Sequence, residues 1–542
     1  MAAAADKSKR YDRQIRIWGV HGQVRFETAR VLLLNCSATG SETLKNLVLG
    51  GIASFTIVDG ARVGAQDLGS NFMVDEASLG EPRAKMVTGL LQEMNDSVSG
   101  SFVEEAPETL LASNPSFFAD FSLVIATQLR ESDAIKLDEV CRSLKVPLLL
   151  ARSYGLIGYI EPSLPEHLVV ESKPDSAVED LRLAHPFPQL RDWALSFDLA
   201  SLDDHMYLHV PYVVLLLHAA EQWKAQQATA GAAAGGPSTS KERAAFKELI
   251  NGMRRQHDGV PLDQINFDEA LKAAFHVWTQ PAIPPEVRAL LADPAAANLT
   301  NDSDDFWFII AGLAAFVAAE NEGGGLLLPL EGSIPDMHAI TDLYLQIQRV
   351  YRDKADADTN AVQAHVGAAL QRMGRPADSI GRDAVRLACK NARNLRVVRY
   401  RPMSTELSGD GGRRGAALQR MLSGEGTGLA DAAFYVLLRA ADRFHGAHGR
   451  LPGTYDSQVE EDVPLLKSMA NQILAEVGAC GVAVPDDCVV EMCRFGAGEL
   501  HVVASVVGGM AAQEAIKLIT KQFMPVPGVL LYNAIASTTT VL

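Results

Sequence analysis

The stretch RVLLLNCSATGSETLKNLVLGGIASFTIVD, residues 30–59, decides the fold class. Its unbroken apolar run over Arg30–Leu34 predicts a strand buried on both faces. Ser41–Leu49 predicts a helix closed by two glycines, and Ser54–Val58 predicts a second strand that ends at an acid, Asp59. A strand, a turn, a helix and a strand of these lengths are typical of a dinucleotide-type, Rossmann-like fold.

The alternation of strands and helices continues beyond this unit. Helices are predicted over residues 81–94 and 132–144, and further strands over 121–126 and 147–150. Strands that alternate with helices of this length indicate a mostly parallel sheet covered on both faces.

Amphipathic helices dominate after residue 170, and the first pattern returns near the end of the chain. Cys488–Met492 reads as β-like, His501–Thr520 as a helix and Gly528–Asn533 as a strand. In between, helices are predicted over Val213–Ala225, Lys241–Arg255, Phe267–Phe275, Phe306–Ala319, Asp336–Lys354, Ala361–Met373, Asp431–Phe444 and Val463–Val477.

The sequence therefore predicts one α/β domain that is interrupted by a large all-helical insertion. The predicted order is a disordered N-terminus over 1–9, a first segment over 10–169, the insertion over 170–485 and a return segment over 486–542. The alternative is two independent α/β pieces, each too small to cover its own sheet.

Composition excludes several classes of protein. The 542 residues carry 49 basic and 66 acidic side chains, a net charge of −17, which argues against a nucleic-acid partner. Six scattered cysteines without CxxC spacing predict no disulfide scaffold, and hence a cytoplasmic or nuclear location. The longest apolar run, Phe306–Ala319, is too short to span a bilayer, and the start is polar by residue six, so we expect neither a membrane span nor a signal peptide.

The turn after the first strand lacks the chemistry that its fold normally carries. A phosphate-binding turn has the pattern G-x-G-x-x-G, but residues 35–40 read NCSATG, with Asn35 and Ser37 in place of the first glycines. Gly40 remains, at the position that allows close packing of helix and strand. Asp59 keeps the place of a ribose-binding acid, and we interpret it as vestigial. No bound cofactor is expected, and the histidines show no metal-binding spacing with the cysteines.

Several blocks together resemble a known family. YDRQIRIWGVHGQ (11–23), residues 31–52 and ARSYGLIGYI (151–160) resemble the first half of the adenylation domain of ubiquitin-activating-type enzymes, in the MoeB/ThiF superfamily. The blocks GSIPDM (332–337), LLRAADRFH (437–445) and CRFGAGELHVVASVVGGMAAQEAIKLITKQF (493–523) narrow the resemblance to regulatory subunits of the heterodimeric neddylation-activating enzymes.

The resemblance implies a reaction and a set of partners. The heterodimer adenylates the C-terminus of a Nedd/Rub modifier with ATP and Mg²⁺, loads it on a cysteine as a thioester and passes it to a conjugating enzyme. This chain departs from the active pattern, with Ser70 in place of an arginine, Arg83 in place of a lysine and Gln128-Leu129 in place of a metal-handling aspartate. The resemblance thus implies that a catalytic partner subunit binds ATP and Mg²⁺.

The family implies one residue that acts across the dimer. Arg13, in YDRQ, matches an arginine that reaches the triphosphate bound by the other subunit; the alternative is a surface arginine in a salt bridge. The insertion matches the position of a catalytic-cysteine domain, but Cys389, in RLACKNARN, reads as a core position. Packing is also the interpretation for Cys480, Cys488 and Cys493, so the thioester cysteine is expected on the partner.

Interface candidates come from small and aromatic residues. Glycines inside a helix cost about 1 kcal/mol each relative to alanine, so those in His501–Thr520 need a packing reason, either the domain's own sheet or a partner domain. The candidates are Tyr11, Trp18, Leu44, Leu47, Gly508, Gly509 and Ala512.

Three rival functions stay open from the sequence. The regulatory subunit of a SUMO-activating enzyme is expected to have a smaller insertion than this one. A self-sufficient MoeB/ThiF-like homodimer would need the missing glycines and aspartate. A non-enzymatic adaptor would use the sheet only to bind partners.

Overall fold

The computed structural model describes residues 9–173, 179–229, 235–257, 260–261, 264–279, 282–319, 327–408, 413–424 and 428–542. Of the N-terminus predicted to be disordered over 1–9, residues 1–8 lie outside the described residues, while Lys9 is helical. The chain divides into two compact units. The sheet unit comprises Met1–Val169 and Val397–Leu542, and the inserted unit comprises Val170–Arg396.

The main sheet of the sheet unit has eight strands among the described residues. They are β1 (Arg30–Leu34), β2 (Ser54–Val58), β3 (Ser99–Val103), β4 (Leu123–Thr127), β5 (Leu148–Tyr154), β6 (Ile157–Ser163), β7 (Leu530–Asn533) and β8 (Thr538–Val541). Their order is β8-β7-β6-β5-β4-β1-β2-β3. Strands β3, β2, β1, β4 and β5 are parallel, and β6, β7 and β8 extend the sheet with antiparallel pairs. The predicted mostly parallel, Rossmann-like sheet is confirmed.

The two faces of β1 explain its unbroken apolar sequence. Val31 and Leu33 face one hydrophobic core, and Leu32 and Leu34 face the other. The first core is closed by the helices α1 (Asp12–Glu27), α2 (Ala38–Gly50) and α3 (His501–Thr520), together with the helix Arg83–Met94. The second is closed mainly by the helix Glu131–Ser143. Burial on both sides is what a central parallel strand requires.

The strand predictions succeed in the centre of the sheet and fail at its edges. β1 and β2 have the predicted bounds, and the third and fourth predicted strands correspond to β4 and β5. The missed strands of this sheet are β3, β6 and β8, and the short strands His167–Val169 and Arg396–Val398 of a separate pair were also missed. β3, SGSFV, is an edge strand in which Ser99, Ser101 and Phe102 are exposed, so it lacks the apolar run of a central strand.

The predicted boundary of the insertion is wrong at its C-terminal end. The helices Arg413–Leu422, Leu429–His448, Val459–Glu476 and Asp486–Phe495 belong to the sheet unit, where Phe434 and Phe444 share a core with Ile157 of β6 and Leu531 of β7. The insertion therefore ends at Arg396 instead of residue 485. Amphipathic periodicity shows that a helix face is buried, but not which surface buries it.

One local prediction is also corrected. Cys488–Met492 is part of the helix Asp486–Phe495 and not a strand, because the buried residues Val489, Met492 and Cys493 follow helical spacing. α3 has the predicted bounds. It is long and apolar enough to cross a membrane, but 50% of its most apolar window is buried inside the fold, which accounts for its composition.

The inserted unit is mainly helical around a core of its own. The two helices predicted at 336–354 and 361–373 form one continuous helix, Thr341–Arg372. The pair of two-residue strands Gln256–His257 and Val260–Pro261 departs from the predicted all-helical insertion. The other longer helices are Pro188–Leu195, Tyr212–Thr229, Ser240–Gly252, Ile265–Ala273, Pro285–Leu291, Asp305–Ala319 and Arg382–Lys390.

Candidate functional site

The turn between β1 and α2 is closed by its own side chains. Asn35 has φ +61°, a left-handed conformation that glycine normally supplies. Its Nδ2 donates to the Thr127 carbonyl at 2.9 Å, and the Thr127 hydroxyl donates to the Asn35 carbonyl at 2.6 Å. A Cβ on Gly40 would lie 2.4 Å from the backbone carbonyl oxygen of Asn35, so only glycine fits there. This is the close approach of helix and strand for which the sequence retains Gly40.

Asp59 is buried at the end of β2 with its hydrogen bonds already used. Its carboxylate accepts from the Cys36 amide at 2.9 Å, the Ala61 amide at 2.8 Å and Arg83 Nε at 2.8 Å. Arg83 also donates to Asp67 at 3.0 Å. Burial opposes the charge on Arg83, but the Asp59 carboxylate outweighs it and raises the pKa of the guanidinium. Asp59 is thus part of a buried ion pair rather than a free ribose ligand.

The N-terminus of α2 already holds a carboxylate. Glu499 Oε1 accepts from the Thr39 amide at 3.1 Å, the Thr39 hydroxyl at 2.7 Å and the Ser153 hydroxyl at 3.2 Å. In active folds of this type the amides at this helix end face a phosphate group of the nucleotide. The Glu499 side chain occupies that position with a negative charge that the helix dipole stabilises.

Glu499→Gln is expected to lower the free energy of unfolding by about 1–2 kcal/mol, because a neutral amide loses the charge-assisted hydrogen bonds and the favourable dipole interaction. Urea unfolding of the isolated chain measures the change. Glu491→Gln is the matched control, since Glu491 pairs on the surface with Arg494 in the adjacent helix. Equal stability of the two variants would contradict the role of Glu499.

A cavity of about 720 Å³ opens beside this turn, and its charge is unsuited to a triphosphate. Its described lining includes three guanidiniums, and each pairs with a lining carboxylate: Arg83 with Asp59, Arg130 with Asp133 and Arg152 with Asp442. The remaining acidic lining groups are Glu104, Glu105 and Glu108. A lining with more carboxylates than guanidiniums repels phosphate.

The other positions that the family resemblance singled out are engaged within the domain. Gln128, in place of the metal-handling aspartate, has φ +54° and donates from Nε2 to the Ser153 carbonyl at 2.8 Å. The Ser70 hydroxyl donates to the Gln66 carbonyl at 3.3 Å. Among the described residues no group of three or more His, Cys, Asp or Glu side chains is arranged to hold a metal ion.

Arg13 lies on the solvent-exposed side of α1. Its side chain is 83% exposed, and its partner among the described residues is a neighbouring acid, Asp12, at 2.8 Å. Arg16 is 69% exposed and pairs with the same carboxylate at 3.1 Å. An exposed ion pair of this kind contributes little free energy, so the Arg13 guanidinium can leave Asp12 and contact another molecule.

Most of the predicted interface residues are buried in this domain's own core, which corrects that prediction. The buried residues are Tyr11, Trp18, Leu44, Leu47, Gly508 and Ala512. Gly508 lies against α2, where an added Cβ would sit 2.7 Å from Glu42 Cβ and 2.9 Å from the Thr43 nitrogen. A Cβ on Gly509 would meet no atom within 4 Å. Small residues in α3 thus serve packing inside the domain on one side, whereas a Cβ on Gly509 would point into open space.

These two glycines give a sharp test of packing. Gly508→Ala is expected to destabilise the isolated chain by about 1–3 kcal/mol, because α2 backbone must shift to admit the methyl group. Gly509→Ala is the matched control in the same helix and is expected to stabilise the chain by about 0.5–1 kcal/mol through helix propensity. Urea unfolding measures both. The packing assignment fails if both variants shift stability in the same direction by the same amount.

The side of α3 that faces away from α2 is apolar and exposed. Val502 is 72% exposed and Val506 is 42% exposed, and with Gly509 they form a line at helical spacing, called here the α3 stripe. Phe72, 64% exposed, stacks on His501 at a centroid distance of 6.3 Å and adds aromatic surface. A helix that is hydrophobic all round is normally buried on every side. The α3 stripe is therefore typical of a surface that another protein covers.

A second exposed apolar set lies on α1. Ile17, Val20 and Val24 are 56%, 67% and 55% exposed. α1 packs against the end of α3, where Arg25 Nη1 donates to the Thr520 carbonyl at 2.7 Å. Both apolar sets thus belong to helices that pack against each other on one face of the sheet.

The cysteines are poor candidates for a thioester. Cys389 is 2% exposed in the helix Arg382–Lys390, and burial raises the pKa of its thiol to about 12. Burial likewise raises the pKa of Cys141 and of Cys493 to about 12. Because the thiolate is the nucleophile, these groups are unreactive at neutral pH. Cys480 is exposed, which corrects its assignment to packing, and Cys488 is intermediate.

The parallel sheet, the β1–α2 turn and the strand-end acid define an adenylation-type fold, and the comparisons agree. The ThiF family matches residues 11–541. The NEDD8-activating enzyme E1 regulatory subunit AXL of Arabidopsis thaliana is 45% identical over 98% of both chains. The NEDD8-activating enzyme E1 regulatory subunits of Xenopus laevis and Drosophila melanogaster are 42% and 39% identical, over 98% of this chain and 98% and 97% of theirs. The chain belongs to the ThiF family and, within it, to the NEDD8-activating enzyme E1 regulatory subunits.

Sequence reasoning missed the two residues that fill the site. It did not single out Glu499, which lies 460 positions from Thr39 and has no local motif. It noted Arg83 only as a departure from lysine, and not as the partner of Asp59. The only available signal was the position of Glu499 inside the block CRFGAGELH, just before α3.

Proposed function

We propose that the chain is the non-catalytic half of a two-subunit enzyme that activates a Nedd/Rub-type ubiquitin-like modifier, the first step of neddylation. Membership of the regulatory-subunit family implies a catalytic E1 partner. One observation carries the proposal. The Glu499 carboxylate already occupies the N-terminus of α2, where an active fold of this type binds a phosphate group of the nucleotide. Activity that depends on ATP must then come from the partner.

In this proposal ATP and Mg²⁺ bind to the partner and not to this chain. Three features support that division. The guanidiniums that line the 720 Å³ cavity are all paired with acids, Asp59 is tied to Arg83, and Gln128 stands where the metal-handling aspartate is expected. Stabilisation of phosphoryl or nucleotidyl transfer needs unpaired cations and a metal ligand at this position.

The partner also supplies the thioester cysteine. The buried thiols of this chain have raised pKa values, and exposed Cys480 has no basic group among its described hydrogen-bond or ion-pair partners. The modifier and a conjugating enzyme are further proposed partners of the assembled heterodimer. We place the reaction in the cytoplasm or nucleus, where free cysteines stay reduced.

The surface proposed to bind the catalytic subunit is the α3 stripe together with the exposed apolar side chains of α1, Ile17, Val20 and Val24. Exposed valines and a half-buried glycine with open space beside it favour close contact with another protein surface, and obligate interfaces are more hydrophobic than the remaining surface. A catalytic subunit with a similar adenylation domain would pair with this surface in a pseudo-twofold arrangement. Arg13 lies with Ile17 in the part of α1 that precedes its break at Gly19 (φ +72°), and it would then reach the partner's nucleotide.

The direct test is reconstitution. The purified chain is mixed with the catalytic subunit, the modifier, ATP and Mg²⁺, and modifier–thioester is measured on a non-reducing gel. We expect the thioester only with both subunits present, and on the partner's cysteine. Adenylation and self-charging by the isolated chain would favour a self-sufficient homodimer. Equal thioester formation by the partner with and without this chain would favour a simple adaptor. The full-length relatives favour neddylation over the SUMO alternative.

A further inference from the structure

Helix α1 is broken in its middle, at Gly19. This residue has φ 72° and ψ 171°, a backbone conformation that is essentially restricted to glycine. Residues 12–18, before the break, carry Arg13 on their exposed side, and the part after the break ends at Glu27. The bend at Gly19 therefore sets the direction in which the Arg13 side chain leaves the domain.

A single side chain from outside the helix joins the two sides of this break. Gln522, which is 1% exposed, donates from Nε2 to the Trp18 carbonyl at 2.8 Å, and the same nitrogen lies 2.8 Å from His21 Nε2. An amide nitrogen carries two hydrogens, so it serves both groups when His21 is neutral with its proton on Nδ1. A Cβ on Gly22 would lie 2.9 Å from Gln522 Nε2, so glycine at this position leaves the space that the amide occupies.

The Trp18 carbonyl needs such a donor because it is the last carbonyl before the break. Carbonyls at the end of a helical segment lose the N–H partner four residues further on and must be satisfied from elsewhere. The buried Trp18 indole crosses the break as well, and its Nε1 donates to Gln23 Oε1 at 2.9 Å. That bond stays within α1, whereas the bond from Gln522 ties α1 to the chain that follows α3.

The backbone around Gln522 adopts two left-handed conformations. Lys521, with φ 55°, ends α3 in the left-handed cap that is common at helix C-termini. Phe523, two residues further on, has φ 59°, which bulky residues rarely adopt. Strained residues persist only where the surrounding structure holds them, and they cluster at sites where geometry matters. The two conformations turn the chain so that the Gln522 side chain reaches α1.

The first part of α1 is thus held at two points. At its start, Tyr11 is buried, and its hydroxyl accepts from Asn95 Nδ2 at 3.1 Å. At its end, the Trp18 carbonyl is bonded to Gln522. Arg13 lies between the two points with its guanidinium exposed. A side chain on a helical segment that is held at both ends projects in a defined direction, as a residue that must act at a fixed place requires.

We propose that Gln522 is a positioning residue for Arg13, because it holds the bend of α1 at which the guanidinium meets the nucleotide of the catalytic partner. This role rests on the proposed function, in which Arg13 acts across the heterodimer. Gln522 is buried and acts only through the helix. A group that stabilises a transition state must be placed closely, and a displacement of about 1 Å can cost about 100-fold in rate.

The test is ATP–pyrophosphate exchange by the reconstituted heterodimer, with the catalytic subunit in excess and with kcat and the KM for ATP measured separately. Gln522→Met fills a similar space without the donor. We expect it to lower kcat at least about tenfold and to change KM less than about twofold, because the lost interaction belongs to the transition state. In the Arg13→Ala background the same change is expected to alter kcat less than about twofold, since no guanidinium is left to position.

Thr520→Val is the matched control. Thr520 is 1% exposed at the end of α3, and its hydroxyl donates to the Ile516 carbonyl at 2.8 Å. The variant therefore loses a buried hydrogen bond close to Gln522 in sequence without altering the break in α1. We expect wild-type kcat from it. Thermal unfolding of each isolated variant reports the structural loss, which non-additivity with Arg13→Ala separates from positioning.

The positioning role is overturned if folded Gln522→Met keeps the wild-type kcat, if its effect is equally large in the Arg13→Ala background, or if Thr520→Val lowers kcat as much. Should Gln522→Met not fold, Gly19→Ala is measured by the same criteria, because alanine cannot hold the conformation of the break. A wild-type heterodimer without exchange would contradict the proposed function itself. An active heterodimer that Arg13→Ala leaves unchanged would overturn the roles of Arg13 and Gln522 together and leave the remaining function intact.

Discussion

Val502→Glu/Val506→Glu is expected to lower the affinity of the chain for its catalytic partner by about 100-fold or more. The two valines are 72% and 42% exposed on α3, so the isolated chain loses no core contact when they are replaced. In the proposed heterodimer each carboxylate would be buried against an apolar surface. Leaving a buried charge unpaired at an interface costs about 2–5 kcal/mol, which corresponds to roughly 30- to several-thousand-fold in affinity.

The measurement is sedimentation velocity or surface plasmon resonance with the catalytic subunit, alongside thermal unfolding of the isolated variant. Val490→Glu is the matched control, because Val490 is an exposed valine, 41% exposed, on a different helix of the same unit. We expect that control to bind like wild type. Unchanged affinity of the double variant, with its fold intact, would show that the α3 stripe does not contact the partner.

The sequence predicted the centre of the sheet well because burial on both faces leaves a distinctive pattern. β1 has a continuous apolar run over residues 31–34, and β2, SFTIV, ends at an acid, Asp59; the bounds of both strands were predicted to the residue. β3 has the sequence SGSFV and one neighbouring strand, so neither its composition nor its periodicity separates it from a loop. Strands β6 and β8 form antiparallel additions, which the βαβ pattern does not predict.

The sequence could not show which element of the chain packs against each buried surface. The small residues of α3 indicated close packing, but only the structure shows that Gly508 faces α2 while Gly509 faces open space. The same limit explains why the end of the insertion was predicted at residue 485 instead of Arg396. The helix Leu429–His448 is amphipathic whether it packs on another helix or on β7. In the nucleotide turn, the missing glycines were visible in the sequence, but the carboxylate of Glu499 that fills the helix end was not.

Arg13→Ala is expected to reduce ATP–pyrophosphate exchange by the reconstituted heterodimer about 100-fold, the loss typical of removing one group that stabilises transition-state charge. The guanidinium is 83% exposed on α1 and, within the described part of the chain, pairs with Asp12 alone, so we expect truncation to leave the fold of this chain unchanged. Arg13→Lys is expected to recover part of the activity, because it keeps the charge but not the planar fork of donors.

Arg16→Ala is the matched control for this change. Arg16 lies one turn further along α1, is 69% exposed and pairs with the same Asp12 carboxylate, so it reports what the loss of any exposed arginine on this helix does. We expect near wild-type exchange from Arg16→Ala and equal heterodimer affinity for both variants. If both arginines prove dispensable for exchange, Arg13 is a surface salt-bridge residue. If both variants lose exchange together with heterodimer affinity, the positive charge of α1 acts in docking the partner and not at its ATP.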